Sequence, residues 1–513
     1  MTDPSHDDDA GRSRLVAERD HRLSKLSSLR DEGIDPYPVR FDRDRTLGEL
    51  VEEFGNLGAG EETDISVKVA GRVMLRRGHG KLFFATVRDH SGEIQLFVSK
   101  AVVGDDAFDR FDTVDLGDWL GVEGTVMSTR KGELSVRVER FELLAKALLP
   151  LPDKWKGLSD VDTRFRQRYV DLIVNEDARR VFAIRSAVVA SIRNSLLERG
   201  FLEVETPMLH DIVGGAAARP FSTHHNSLDI DLYMRIALEL HLKRLIVAGL
   251  DRVFEIGRCF RNEGLDTRHN PEFTMLEAYQ AFADYHDMMD LTEHLVAAAA
   301  EAAIGTMIVE LEGRSVDLTP PWRRITVADL IRESLGVTMH PSMPVTEARA
   351  ALDDAGVEYR DEWGSGKLMD VLYDDRAQHD VFEPTFVIDY PREVSPLARP
   401  HRDDPHLVER FELIVAGREL ANAFSELNDP VDQLARFEAG ARAKAQGDPE
   451  AGDVDYDYVR ALEYGMPPAG GLGIGIDRLV MLIAGVTSIR EVILFPTLRP
   501  EQFDEAEFRF PDA

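Results

Sequence analysis

Arg252 to Tyr279 reads RVFEIGRCFRNEGLDTRHNPEFTMLEAY, and it puts ionisable side chains where a sheet ordinarily keeps its apolar face. The pattern predicts strand, polar turn, strand. Side chains alternate with period two along a strand, so Glu255, Gly257, Arg261 and Glu263 share one face of the first strand, and Phe273, Met275, Glu277 and Tyr279 one face of the second. Two such strands side by side carry a guanidinium, carboxylates and aromatic rings on one concave surface. Between them Asn262, Gly264, Asp266 and Asn270-Pro271 are turn formers, while Arg268 and His269 add donors. A loop that combines flexibility with donors suits a polyanion.

A chain of 513 residues is long enough for two or more domains with a large core. Hydrophobic content of 43% and charged content of 30% fit a soluble globular protein, and no apolar stretch has membrane-spanning length. The acidic amino terminus MTDPSHDDDAGRSR lacks the apolar core of a signal peptide, so a cytoplasmic location without membrane attachment is expected. Cys259 is the only cysteine, which excludes an internal disulfide or a cysteine-cluster zinc site, and it reads as a small packing residue. A net charge of -32 with a pI near 4.9 would ordinarily count against a nucleic-acid partner. Local charge differs from global charge: RVMLRR at 72–77 and RFRQRY at 164–169 are expected to form basic patches on an acidic body.

Residues 13–33 have leucines at near-helical spacing, and Gly33 followed by Pro36 ends that helix; a second is expected around Leu47 to Phe54. From Ile65 to Leu144 short alternating runs predict a small barrel, with Ser91-Gly92 as a hairpin turn. Phe83 and Phe84, beside Lys81 and Arg76, offer rings for stacking bases and charges for phosphates, although at least one of the two must point into the barrel. The expected division is a helical extension over 1–62, the barrel over 63–146, a proline-rich linker over 147–160, and a catalytic domain over 161–513 with a helical insertion at about 321–380. The catalytic part opens with a long amphipathic helix ended by Gly200 and a strand running into Pro207.

Three further constellations bear on chemistry. GGAAARPFSTHH at 214–225 has small residues that let backbone approach a ligand, and Glu239 then opens an otherwise apolar helix. In RFELIVAGRELANAFSELNDP at 410–430, Glu412 and Glu419 can supply the carboxylates that a magnesium ion bridging phosphates requires, although without context two surface glutamates are the favoured reading. Asn422, Phe424 and Glu426 share one strand parity and Glu419 has the other, so a common site requires a bulge or turn near Leu420 and Ala421. GGLGIGIDRLVMLIAG at 470–485 alternates its glycines and lacks the spacing of a dinucleotide fingerprint.

These strings resemble class II aminoacyl-tRNA synthetases of subclass IIb, in the form seen in lysyl-tRNA synthetases. The opening hairpin resembles motif 2, the helix and strand before Pro207 motif 1, and the alternating glycines motif 3; GIDPYP, RQRYVDLI, EVSPLAR and FSELND extend the likeness from about residue 20 to residue 500. The class I signatures HIGH and KMSKS are absent. The resemblance implies an α+β fold: an N-terminal OB-fold barrel that binds the anticodon, then an antiparallel catalytic sheet flanked by helices. It implies ATP-dependent activation of L-lysine to lysyl-adenylate and transfer to the 3′ end of tRNA(Lys), with Mg2+, in a homodimer formed through motif 1.

By the same resemblance, Arg261 holds the α-phosphate and the amino-acid carboxylate, Phe273 stacks on adenine and Arg478 meets the γ-phosphate. Glu263, His269, Asn270, Glu412 and Glu419 complete the ATP site, with the metal on the last two. Lysine would meet Gly215, Glu239 (at its α-ammonium), Arg261, Glu277, Tyr279, Asn422, Phe424, Glu426 and Gly473, and the anticodon Phe84, Gln95 and Glu133. A distal ammonium wants a desolvated carboxylate in a partly aromatic slot, and Glu426, Glu277, Tyr279 and Phe424 offer that chemistry. The chain departs from the family at Leu238, commonly proline, and at Ala421 and Ala423, glycine in many bacterial relatives. A tRNA-independent lysyltransferase modifying a translation factor would share the motifs but lack the barrel; aspartyl- and asparaginyl-tRNA synthetases share the architecture but not this pocket.

Overall fold

The computed structural model describes residues 5–502 except 153–157, 159, 217 and 446–452, so the expected linker lies partly outside the described residues. The chain forms two compact units, Met1–Ser159 with Pro500–Ala513, and Asp160–Arg499.

In the first unit a helix over Ser5–Asp31 gives way to Gly33, whose φ of 75° a side chain would resist. The helix Leu47–Phe54 starts at a capping box between Thr46 and Glu49. Five strands, β1 (Glu62–His79), β2 (Leu82–Arg88), β3 (Glu93–Ser99), β4 (Trp119–Ser128) and β5 (Leu134–Ala145), close into a barrel in the order β1-β2-β3-β5-β4. Alternation sends Phe83, Ala85 and Val87 of β2 and Ile94, Leu96 and Val98 of β3 inward. Between those strands the Asp89 carboxylate accepts from the backbone N–H of Ser91 and Gly92, closing the turn.

The second unit is built on one large sheet. Its strands, with those of two small side sheets, are β6 (Leu202–Glu203), β7 (Leu209–His210), β8 (Ser222–His225), β9 (Ile230–Met234), β10 (Arg252–Phe260), β11 (Glu272–Ala281), β12 (Ile308–Leu311), β13 (Arg314–Asp317), β14 (Arg323–Thr326), β15 (Thr385–Pro391), β16 (Leu407–Val415), β17 (Arg418–Ser425) and β18 (Ala469–Gly475). The large sheet runs β14-β15-β16-β17-β18-β11-β10-β6. Across its centre Leu276, Ile474, Ala421 and Leu413 lie in register on one face. That face packs on helices Glu176–Glu198, Tyr285–Ile304 and Ile476–Ala484 through residues such as Val188, Ile192, Leu295 and Leu479. Each large side chain buried there contributes about 1.5–3 kcal/mol, which fixes the sheet and frees its other face for polar residues.

Two expectations need correction. The segment 321–380 is not wholly helical: it opens with β14, parallel to β15, because alternation in RRIT turns Ile325 into the core. RFRQRY forms no basic patch, since Arg164 and Arg168 bond to Asp171 and Arg166 to Asp162. No helix among the described residues is long and apolar enough to cross a membrane.

Candidate active site

The opening hairpin forms in register, with Glu255 opposite Glu277, Gly257 opposite Met275 and Cys259 opposite Phe273, but β10 ends at Phe260, so Arg261 and Glu263, expected on its face, lie in the loop that follows. Beyond β11 the same face continues through Gly473 to Asn422 and Glu412. Leu413 faces Ala421, yet Ile414 faces Glu419, so Leu420 is an extra residue in β17. This bulge turns Glu419 onto the face of Glu412, Asn422 and Phe424. Cys259 is fully buried, and burial pushes its thiol up to about 12, as befits a packing residue.

Acidic side chains converge at one end of this face. Glu239 starts the helix Glu239–Val247, and Glu277 caps it from the sheet by accepting from Leu238 N at 3.1 Å. The other Glu277 oxygen accepts from Tyr279 Oη at 3.0 Å. Burial, then Glu239, pushes the Glu277 carboxyl up to about 7. Glu426 is 1% exposed and paired with Lys243, which also pairs with Glu239 and lies 5.2 Å from the Phe424 ring centroid. Burial pushes Glu426 up, Lys243 opposes this, and Glu239 and Glu277 add to it. Among the described residues neither Glu426 oxygen accepts a well-aligned hydrogen bond, so the carboxylate keeps acceptor capacity for a second donor. Gly215, at φ 88°, brings backbone beside Ala237 and Glu239.

Glycines make the floor. A β-carbon on Gly471 would lie 1.9 Å from Glu426 Oε1 and 2.5 Å from Tyr279 Cε1, whereas one on Gly473 would meet nothing nearer than Met275 Cε at 3.5 Å. Gly257 is required for another reason: a β-carbon there would lie 2.3 Å from Arg235 Nη2. Arg235 is buried and donates to Glu255 at 2.7 Å, which removes Glu255 from the groups open to a ligand.

The other end of the face is cationic. Arg261 lies 5.1 Å from the Phe273 ring centroid, and its buried Nε has no hydrogen-bond partner among the described residues. Arg478 donates to the Glu419 backbone oxygen at 2.7 Å and to its carboxylate at 3.1 Å. Arg410 donates to Glu412 at 2.7 Å and to Asn422 at 3.2 Å. Burial and Glu419 nevertheless push Glu412 up to about 8, outweighing Arg410. Arg268, His269, Arg418, Glu419 and Arg478 line one cavity. Glu263 is exposed in the loop, where His269 bonds to Asp266 at 2.8 Å. Asn270 ties the loop down: its amide nitrogen donates to Glu272 O and its amide oxygen accepts from Thr497 N.

On the barrel, Phe83 points inward and Phe84 outward, where Phe84 meets Phe97 edge-on at 5.4 Å. Register places Arg77 beside Phe84, and Arg137 beside Phe97, with Gln95 on the same face bonded to Ser135. The cation next to the outward, half-buried ring is therefore Arg77. Arg76, expected there, is held by Phe111 O and Asp112 and lies over the buried Phe83 ring. Glu133 is exposed just before β5.

Sequence reasoning missed Lys243, Arg235, Arg410 and Phe97. The Glu239/Lys243 spacing of four in an otherwise apolar helix start was the available signal for the first.

A barrel unit followed by a sheet with one polar face and one helix-covered face defines a class of protein, and family profiles agree. One for tRNA synthetases class II (D, K and N) matches residues 160–499, and one for the OB-fold nucleic acid binding domain matches 67–144. The chain is 53% identical to the lysine-tRNA ligase of Nostoc punctiforme over 94% of its own length and 87% of that protein's. It is 53% identical to the lysine-tRNA ligase of Carboxydothermus hydrogenoformans, and 52% to that of Staphylococcus aureus, each over 93% of this chain and 97% of the relative. The chain belongs to the lysine-tRNA ligase family of class II synthetases.

Proposed function

We propose that the chain activates L-lysine with ATP to lysyl-adenylate and transfers the lysyl group to the 3′ end of tRNA(Lys). The observation that carries this is the division of one sheet face into a buried carboxylate pocket around Glu426 and an end where the Arg261 guanidinium has no carboxylate partner among the described residues. Lysine is a diammonium carboxylate, and it fits such a face in one direction only.

Glu239 and Glu277 receive its α-ammonium beside Gly215, Glu426 its ε-ammonium along Phe424, Tyr279 and the Gly473 floor, and Asn422 flanks the chain. Arg261 then holds the carboxylate against the α-phosphate of an ATP whose adenine lies on Phe273. One carboxylate oxygen attacks the α-phosphorus, the bond to the bridging oxygen breaks, and pyrophosphate leaves past Arg478, Arg268 and His269. A ribose hydroxyl of the tRNA end next attacks the mixed anhydride and releases AMP. Positioning and charge stabilisation carry most of the rate, with no obligatory general base.

Two carboxylates and phosphate oxygens suit Mg2+, and Glu412 with Glu419, brought together by the bulge, would hold it. The ion would neutralise the β- and γ-phosphates. The outward Phe84, Phe97, Arg77 and Gln95 suit stacked bases and phosphates, supporting an anticodon role for Phe84 and Gln95 with Glu133 nearby.

A homodimer is supported by apolar residues left exposed near motif 1: Leu197, Leu202, Met208, Leu209, Leu228 and Ile230. The location proposed is the cytoplasm, where tRNA is charged. Amino-acid-dependent ATP–pyrophosphate exchange tests the first step: lysine should support exchange, and aspartate or asparagine exceeding lysine would overturn the assignment.

A further inference from the structure

Lys243 is fully buried in the site proposed to bind a lysine. Its ammonium is flanked by Glu239 on its own helix, by Glu426 after β17, by the Phe424 ring, and by Tyr458 of the helix Tyr456–Glu463. Glu277 and Tyr279 of β11 close the same pocket. The next residue, Arg244, faces away and is neutralised by Asp455 and Asp457. With every group ionised, the pocket holds three carboxylates, Glu239, Glu277 and Glu426, against one ammonium, and three minus one leaves a formal charge of two negative. Two is the number that the α- and ε-ammonium groups of lysine cancel. The substrate carboxylate is met separately by Arg261.

We propose that Lys243 is a positioning and specificity-determining residue, a built-in ammonium that holds Glu239 and Glu426 in place and sets the pocket charge to match a diammonium amino acid. The inference rests on the assignment of Glu239 and Glu426 to lysine's two ammonium groups. Without Lys243, three buried carboxylates face each other, and burial with mutual repulsion makes one of them take up a proton. Lysine must then expel that proton to bind. Lys243 itself stays charged: burial opposes this, but Glu239 and Glu426 outweigh it.

The test is calorimetric titration of the full chain with lysine at pH 8 in two buffers of different ionisation enthalpy, which counts protons released. Wild type should release fewer than the variant, because the Lys243 ammonium opposes the upward push on Glu426 and Glu277 is pushed up only to about 7. Lys243→Met should release about one, with a lysine KM raised at least tenfold and falling as pH rises, while the ATP KM changes little. Lys243→Arg should restore most of the affinity and the wild-type proton count. Norleucine, which has no ε-ammonium, should bind the wild-type protein weakly with uptake of about one proton, a readout independent of how any variant folds.

The proposal is overturned if Lys243→Met binds lysine with the wild-type proton count, if its lysine and ATP KM rise alike, or if norleucine binds wild type with no proton uptake. Glu426→Gln separates the two layers. Loss of lysine affinity without loss of ATP affinity upholds the pocket assignment, so a negative result at Lys243 then counts against Lys243 alone; an unchanged lysine KM removes the assignment itself.

Discussion

Gly471→Ala is the smallest change that should damage the lysine pocket. Gly471 lies between Tyr279 and Phe424 in register, and an added β-carbon would sit 1.9 Å from Glu426 Oε1 and 2.5 Å from Tyr279 Cε1. Contacts of a β-carbon below 3.0 Å essentially do not occur, so the carboxylate must retreat by at least the difference, about 1.1 Å. A shift of about 1 Å at a recognition contact costs about a hundredfold, or about 2.7 kcal/mol. The lysine KM in pyrophosphate exchange should rise by about that factor, with little change for ATP. Gly473→Ala is the matched comparison for stability alone. Its β-carbon meets nothing nearer than 3.5 Å, so stability should stay within about 0.5 kcal/mol of wild type, while lysine binding weakens because the added carbon enters the proposed substrate space. A Gly471→Ala enzyme whose lysine KM is within twofold of wild type, or whose ATP KM rises equally, would refute this reasoning.

Other expectations follow from the same geometry. Arg261→Ala should lower the rate of adenylate formation by about a thousandfold or more with an unchanged melting temperature; near-normal exchange would remove Arg261 from the chemistry. Glu277, pushed up to about 7, holds a proton in the folded state that the unfolded chain releases near its ordinary 4.5. Its contribution is therefore present at low pH and lost as pH rises through that window, on the order of 3 kcal/mol. Urea melts should show Glu277→Gln gaining relative to wild type between pH 5 and 8, and kcat/KM for lysine in wild type should fall about tenfold per unit below pH 7. Phe84→Ala should raise the tRNA KM in charging by about tenfold or more and leave tRNA-free exchange unchanged, since a stacked base is worth about 1–3 kcal/mol.

Much of this site was legible because a strand is a simple object. Period two placed Phe273, Met275, Glu277 and Tyr279 on one face, and the parity conflict between Glu419 and Asn422 demanded the bulge that Leu420 supplies. What stayed hidden depends on pairing, whether the partner is distant in the chain or only a helical turn or two away. Glu239 and Lys243 look like an exposed helical ion pair until Glu426 arrives from residues that follow β17. RFRQRY looks basic until Asp162 and Asp171 neutralise it, and Arg76 looks free until the backbone oxygens of Phe111 and Asp112 take it. Charge can be counted in a sequence, but pairing is a property of the fold. The choice between Phe83 and Phe84 was likewise a matter of barrel register, which buries the first and turns the half-buried second outward.

The central claim is that one sheet face activates lysine and delivers it to tRNA. The most direct measurement is charging of purified tRNA by the full chain with radiolabelled lysine, aspartate and asparagine in parallel. The account predicts ATP-dependent, acid-precipitable label on tRNA with lysine alone. Charging with aspartate or asparagine, or lysine activation with no label reaching tRNA, would contradict it.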